Sequence, residues 1–280
     1  MAANSLAVIG SPISHSKSPA IHAAAYRVLK LDWDYSAIEV QRGQLASFLD
    51  GLDDSWRGLS VTAPLKEEAS EFAAGSLERA LGSANTLVRT ANGWQAFNTD
   101  VFGIVRALQE ASLPQINSVT IIGAGATAKS AMAAVAQLYP QAKLTLAARR
   151  PEVLPKLANF ALHAFKFEAK TSTNIAKAMI KSDLVLSTLP AGSLDAYAHK
   201  IDKSWLLKPH GILFDVAYEP WPSPAAKLWQ GSGLTVVSGI EMLLWQAVAQ
   251  IRLFHTGDAD QPLFNEAAVL HAMRDSVGLL

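Results

Sequence analysis

A lysine two residues after a proline, a carboxylate ahead of a helix, and two serines on alternate residues have side chains suited to acid–base and anion chemistry. Pro64 marks the start of a short helix, with Glu67 and Glu68 favourably placed in its first turn. Lys66 stands in that turn against the helix dipole, and general-base chemistry at a lysine needs a pKa drawn from about 10.4 toward neutrality. The plainer reading is a wet surface lysine paired with a neighbouring glutamate. Asn98-Thr99-Asp100 precedes an amphipathic helix, so any of the three can be its N-cap, while the Asp100 carboxylate can also orient and tune a lysine. In Ser14-His15-Ser16-Lys17-Ser18-Pro19, Ser18 before Pro19 has the signature of an N-cap. That leaves Ser16 unexplained, and two hydroxyls beside a helix N-terminus suit a carboxylate. The seven histidines show no H-E-x-x-H spacing, and no metal site is expected.

A second constellation follows the apolar run Val119–Ile122. Gly123-Ala124-Gly125-Ala126-Thr127-Ala128 opens an alanine-rich helix and matches G-x-G-x-x-G/A in its strand–turn–helix setting. Gly123 allows the tight turn, Gly125 the close approach of a pyrophosphate, and Ala128 the packing of helix on strand, with phosphates at the positive helix end. The alternative is a glycine turn without a ligand. An NAD site wants an acid about 20 residues on, at the end of the next strand. Here that strand ends in Ala148-Arg149-Arg150. Guanidiniums suit a 2′-phosphate, because arginine offers planar bidentate donors, so NADP is the expected cofactor.

The elements that must position these groups alternate along the chain as in an α/β protein. Strands are expected at Ser5–Gly10, Trp33–Val40, Gly58–Thr62, Thr86–Arg89, Val119–Gly123, Leu144–Ala148, Leu184–Ser187, Ile212–Asp215 and Leu234–Val237. Helical patterns include Pro19–Leu29, Val101–Glu110, Thr127–Leu138 and Gly239–Phe254. Leu113–Asn117 is a plausible crossing point between two domains. The length of 280 residues suits two domains, and 50% apolar with 17% charged residues excludes global disorder. With 24 basic and 24 acidic side chains, no nucleic-acid or anionic-membrane partner is indicated. There is no cysteine, hence no thiolate chemistry, and no apolar run of the ~18 residues a membrane span needs. The N-terminus lacks a basic leader region, so a cytoplasmic protein is expected.

Together the segments resemble the shikimate dehydrogenase family nearly end to end. Gly10-Ser11-Pro12-Ile13-Ser14-His15-Ser16-Lys17-Ser18-Pro19 is similar to its G-x-P-I-x-H-S-x-S-P motif, and Ser60-Val61-Thr62-Ala63-Pro64-Leu65-Lys66 to N-V-T-x-P-x-K, whose lysine is catalytic. Gly82-Ser83-Ala84-Asn85-Thr86-Leu87 resembles G-A-x-N-T-L, and Asn98-Thr99-Asp100 is the family's N-T-D. Tyr218 and Gln246 match two late substrate contacts. Departures are Ser60 for asparagine, Val101 where glycine is common, loss of the last arginine of N-R-T-x-x-R at Val153, and a loose glycine loop at Ser187–Gly192.

The resemblance implies an N-terminal βα substrate domain, residues 1–102, completed by helices in 238–280, and a Rossmann-like NADP-binding domain, 103–237, with a cleft between them. It implies that Lys66 moves a proton with Asp100 as partner. Ser16 and Ser18 would hold the substrate carboxylate, and Thr62, Asn85, Asp100, Tyr218 and Gln246 the rest of a shikimate or 3-dehydroshikimate ring. Gly123 to Ala128, with Ala148, Arg149, Arg150, Thr188, Val216 and Gly239, would hold NADP. A monomer or homodimer is expected. Two alternatives stand beside this reading. An NAD-dependent quinate/shikimate dehydrogenase tends to carry an acid where Ala148 stands and to alter the second serine. A non-catalytic ligand sensor of the same fold loses the lysine–aspartate pair.

Overall fold

The run Ser5–Gly10 (β1) is buried from Leu6 onward and has a parallel neighbour on each side, the setting in which a strand is continuously apolar. The computed structural model describes residues 4–279, and the chain divides into two compact units, Met1–Gly103 with Leu244–Leu280, and Ile104–Leu243.

In the first unit β1 is followed by α1 (Ser18–Leu29), β2 (Asp34–Glu39), α2 (Leu45–Asp50), β3 (Trp56–Val61), α3 (Lys66–Ala69), α4 (Ser76–Leu81), β4 (Thr86–Thr90), β5 (Gly93–Phe97) and the start of α5 (Asp100–Glu110). The sheet order is β2-β1-β3-β4-β5, parallel through β3 and antiparallel beyond it. Ile9, Leu59, Val61, Leu65 and Leu87 fill one core face. β5 is an edge strand that the apolar pattern does not reveal, because only Ala96 of its five residues is buried. Its signal is the turn: Asn92-Gly93, with Gly93 at φ 103°.

The second unit holds β6 (Ser118–Ile122), α6 (Ala126–Leu138), β7 (Lys143–Ala147), α7 (Leu154–Phe165), β8 (Ala169–Ser172), α8 (Ile175–Met179), β9 (Leu184–Ser187), α9 (Asp195–Asp202), β10 (Ile212–Asp215), α10 (Pro224–Gly231) and β11 (Val236–Ser238). All pairings in its six-stranded sheet, order β11-β10-β9-β6-β7-β8, are parallel. β8 also escapes the sequence pattern, being a polar edge strand with no buried residue. Leu234 lies before β11 rather than in it.

The chain closes with α11 (Gly239–Thr256) and α12 (Glu266–Asp275). Arg252 ties them together, donating to both carboxylate oxygens of Glu266 at 2.8 and 2.6 Å and to the Ala259 carbonyl at 2.8 Å. Among the described residues no helix is long and apolar enough to cross a membrane, and no group of three or more His, Cys, Asp or Glu side chains can hold a metal ion.

One buried group makes stability depend on pH. His22 on α1 is fully buried, stacked on the Tyr35 ring at 4.0 Å between centroids, with Nδ1 3.0 Å from the Tyr26 hydroxyl. Burial pushes its pKa down from 6.5 to about 3. Between those values the unfolded chain binds a proton that the fold refuses. Stability therefore falls as pH drops through 6.5, by up to about 1.4 kcal/mol per pH unit, and levels off below 3. Urea unfolding from pH 7 to 4 should show this slope, and His22→Gln should flatten it; an unchanged slope in the variant would assign the dependence elsewhere.

Candidate active site

Lys66 opens the four-residue helix α3, after a turn through Pro64, so the helix begins two residues later than the proline suggests. Its ammonium lies 2.5 Å from Asp100 Oδ2, and the two side chains are 17% and 5% exposed. Both glutamates after it point elsewhere: Glu68 accepts from the Gly43 N–H and Glu67 lies 3.9 Å from Arg42. The reading of Lys66 as a wet surface lysine is thereby set aside.

Asp100 is the first residue of α5 and does not serve as its cap; Asn98 Oδ1 accepts from the Val101 N–H at 3.4 Å. The other Asp100 oxygen accepts from Asn85 Nδ2 at 2.9 Å. Asn85 cannot turn its amide over without loss, because its Oδ1 accepts from the Thr99 N–H at 2.7 Å. Gln246 on α11 brings its Oε1 to 3.2 Å from Asn85 Nδ2. Lys66, Asp100, Asn85 and Gln246 thus form one hydrogen-bonded group within the first unit. A buried carboxylate with a fixed donor on one oxygen and an ammonium on the other is a device for holding that ammonium in one place.

The serines correct the expectation for α1. Its N-cap position is Lys17, without a side-chain cap, and Ser18 is the first helical residue. Ser16 Oγ instead accepts from the Ser18 N–H at 3.3 Å. Proline at the second helical position moves the helix start one residue earlier than a serine cap would. Ser18 is buried and Ser16 half-buried. Thr62 follows β3, half-buried, its N–H bonded to the Ile9 carbonyl at 2.9 Å. Tyr218 belongs to the second unit, in the loop after β10.

In that unit Gly123 ends β6 at φ 126°, and a Cβ there would run into the Thr188 hydroxyl, which donates to the Ile122 carbonyl at 3.0 Å. Gly125 is the N-cap residue of α6, and a Cβ placed on it would meet nothing within 4 Å. The open ground before a 13-residue helix with no side-chain cap fits a phosphate group. The sheet order reverses at β6, whose neighbours are β7 and β9, so Gly123 and Thr188 sit at the switch point where such sheets bind ligands. Ala124, Ala126 and Thr127 are half-buried around the loop, and Ala128 is fully buried against the sheet. At the end of β7, Ala148 is buried while Arg149 and Arg150 are exposed. Gly239 is held so close to the Val216 carbonyl that no side chain fits.

Residues 8–87 match the model of the shikimate dehydrogenase substrate binding domain. The chain is 31% identical over 282 residues to the shikimate dehydrogenase (NADP(+)) of Synechocystis sp., covering 95% of each. The chain belongs to the shikimate dehydrogenase family. Among solved members of the family, the Mycobacterium tuberculosis shikimate dehydrogenase is 35% identical with a TM-score of 0.83, over 97% of this chain and 99% of that one. Shikimate 5-dehydrogenase from Thermus thermophilus, solved in complex with NADP(H) and shikimate, is 26% identical with a TM-score of 0.79, over 98% and 99%.

Several polar residues of the group were not expected from sequence. Tyr35, Thr86, Thr99 and Gln250 are all buried and hydrogen-bonded to its members or to one another. For Gln250 a signal existed: it follows Gln246 by four residues, on the same face of a helix, with only Ala247, Val248 and Ala249 between them.

Proposed function

We propose that this chain is an NADP-dependent shikimate dehydrogenase, interconverting 3-dehydroshikimate and shikimate within aromatic amino-acid biosynthesis. The observation that carries the reading is the Lys66 ammonium held at 2.5 Å on a buried carboxylate. The names of its relatives and the complex of the Thermus protein support it.

In the reductive direction Lys66 gives a proton to the carbonyl oxygen, and its charge stabilises that oxygen as negative charge develops. In the oxidative direction it takes the proton from the hydroxyl. Asp100 orients Lys66, and Asn85 orients Asp100. Ser16 and Ser18 bind the carboxylate, and Thr62, Asn85, Asp100, Gln246 and Tyr218 the ring hydroxyls. The residues Gly123 to Ala128, with Thr188, Val216 and Gly239, line the seat for the cofactor, and Ala148, Arg149 and Arg150 its adenosine end. Bound there, NADPH supplies the two-electron reduction of the ketone. We propose a monomer or homodimer, with the cytoplasm as its compartment.

Steady-state rates with shikimate and quinate, each with NADP and NAD, test the assignment. Shikimate with NADP should give the highest kcat/KM; a higher value for quinate with NAD would replace the reading with the alternative enzyme. Ser16→Ala should raise KM for shikimate with little change in melting temperature, since among the described residues its hydroxyl serves a long local bond to the Ser18 N–H. With Ser18 inside the helix, no cap is lost in Ser18→Ala, so it too should act on KM. Lost stability with unchanged kinetics at both positions would make the serines structural.

A further inference from the structure

A chain of hydrogen bonds runs through the first unit in a single sense. The Tyr35 hydroxyl donates to Ser60 Oγ at 2.6 Å, and the Ser60 hydroxyl to Gln250 Oε1 at 2.7 Å. Gln250 Nε2 donates to Thr86 Oγ1 at 3.1 Å, the Thr86 hydroxyl to Asn85 Oδ1 at 3.1 Å, and Asn85 Nδ2 to Asp100 Oδ1 at 2.9 Å. Gln250 Nε2 is also 3.0 Å from the Asn85 carbonyl. From Tyr35 to Asn85 every member is buried, and Gln250 is 1% exposed. The Tyr35 phenol, held neutral by burial, further shares a side-chain hydrogen bond with Ser18.

Only one amide orientation of Gln250 satisfies this order. Its carbonyl must meet the serine and its NH₂ the threonine, and that choice leaves the threonine proton free to point at Asn85 Oδ1. With Asn85 Oδ1 so occupied, its NH₂ must face Asp100. At groups this buried, each link polarises the next and a broken link leaves an unsatisfied polar atom. Ser60, where the family's motif has asparagine, is the link that Gln250 requires: a short hydroxyl able to accept from Tyr35 and donate to the amide.

We infer that Gln250 is a positioning residue, which acts through Thr86 and Asn85 to hold Asp100, and with it Lys66, in the reactive arrangement. The inference rests on the proposed dehydrogenase activity. It predicts that breaking the chain lowers kcat, because the proton carrier is misplaced, while Ser16, Thr62, Gln246 and Tyr218, which stand outside the chain, still grip substrate.

The test begins with the unaltered enzyme, whose inactivity on shikimate and NADP would refute the proposed function itself. Given that activity, Gln250→Met, of similar length but without donor or acceptor, should lower kcat about tenfold or more, with KM for shikimate changed less than about threefold. Thr86→Val should do the same, and Thr86→Ser, which restores the hydroxyl, should recover most of the loss. Should Gln250→Met fail to fold, the threonine pair decides. A folded Gln250→Met enzyme with unchanged kcat would overturn the inference, whether its KM rises or not. Equal kcat in Thr86→Val and Thr86→Ser would overturn it as well.

Discussion

Lys66→Ala should lower kcat by about 10²–10⁴-fold, the usual worth of a positioned acid–base group. The variant loses both the proton carrier and the positive charge that faces the reacting oxygen in the proposed mechanism. KM for shikimate should change far less, because Ser16, Ser18, Asn85 and Gln246 stay in place. Asp100→Asn keeps the shape of the side chain but takes the anion from beside the ammonium, so turnover should fall there too. The double variant should be scarcely slower than Lys66→Ala alone, since Asp100 has no separate route to the chemistry once the amine is gone. Turnover of the three variants, with circular dichroism to establish folding, checks this. Near-normal turnover in a folded Lys66→Ala enzyme would end the mechanism, and strictly multiplicative losses would end the claim that the pair acts as a unit.

Replacing Arg149 and Arg150 together by alanine should raise KM for NADP roughly a hundredfold or more and leave KM for NAD within about threefold. A charge-assisted hydrogen bond to phosphate is worth about 1.5–3 kcal/mol, roughly ten- to a hundredfold each. Both arginines are exposed at the end of β7, beside β6 and its glycine turn. The position where an NAD enzyme carries its acid is here the buried methyl of Ala148, which offers nothing to ribose hydroxyls. Because the guanidiniums are solvent-facing, the preference for NADP should shrink as ionic strength rises. Equal weakening of both cofactors would show that the arginines serve folding or another ligand.

The parts of the molecule legible in the sequence are those whose cause is local. The glycine turn after Val119–Ile122 is one, since the left-handed φ of Gly123 and the bare helix start at Gly125 are properties of neighbouring residues. The buried parallel strands β1, β6 and β9 are others, because burial on both faces writes itself as an unbroken apolar run. Edge strands β5 and β8 leave no such trace. Asp100 is readable as a partner for some lysine, yet nothing in a separation of 34 residues says which one. The Tyr35-to-Asn85 chain is less legible still: a buried glutamine and a surface glutamine are the same letter until tertiary packing removes the water. At Ser18 the local rule misled, since the cap signature of serine before proline takes no account of a helix that starts one residue earlier.

The order in which the protein is made bears on when its site can exist. Asn85 is synthesised 161 residues before Gln246 and 165 before Gln250. At about 5–20 residues per second, that gap lasts on the order of 8–30 s. Throughout it the Ser60 hydroxyl, the Asn85 amide and the Thr86 hydroxyl lack their partners from α11 and keep only those within the first ~100 residues, such as Tyr35, Thr99 and Asp100. The contiguous second unit emerges completely in the same interval. Lys66, Asp100 and Asn85 therefore wait for Gln246 and Gln250, which the later helix α11 brings to them. A chain broken off before α11 would hold Gly123, Gly125, Arg149 and Arg150 but lack Gln246 and Gln250, and with them two of the partners of Asn85.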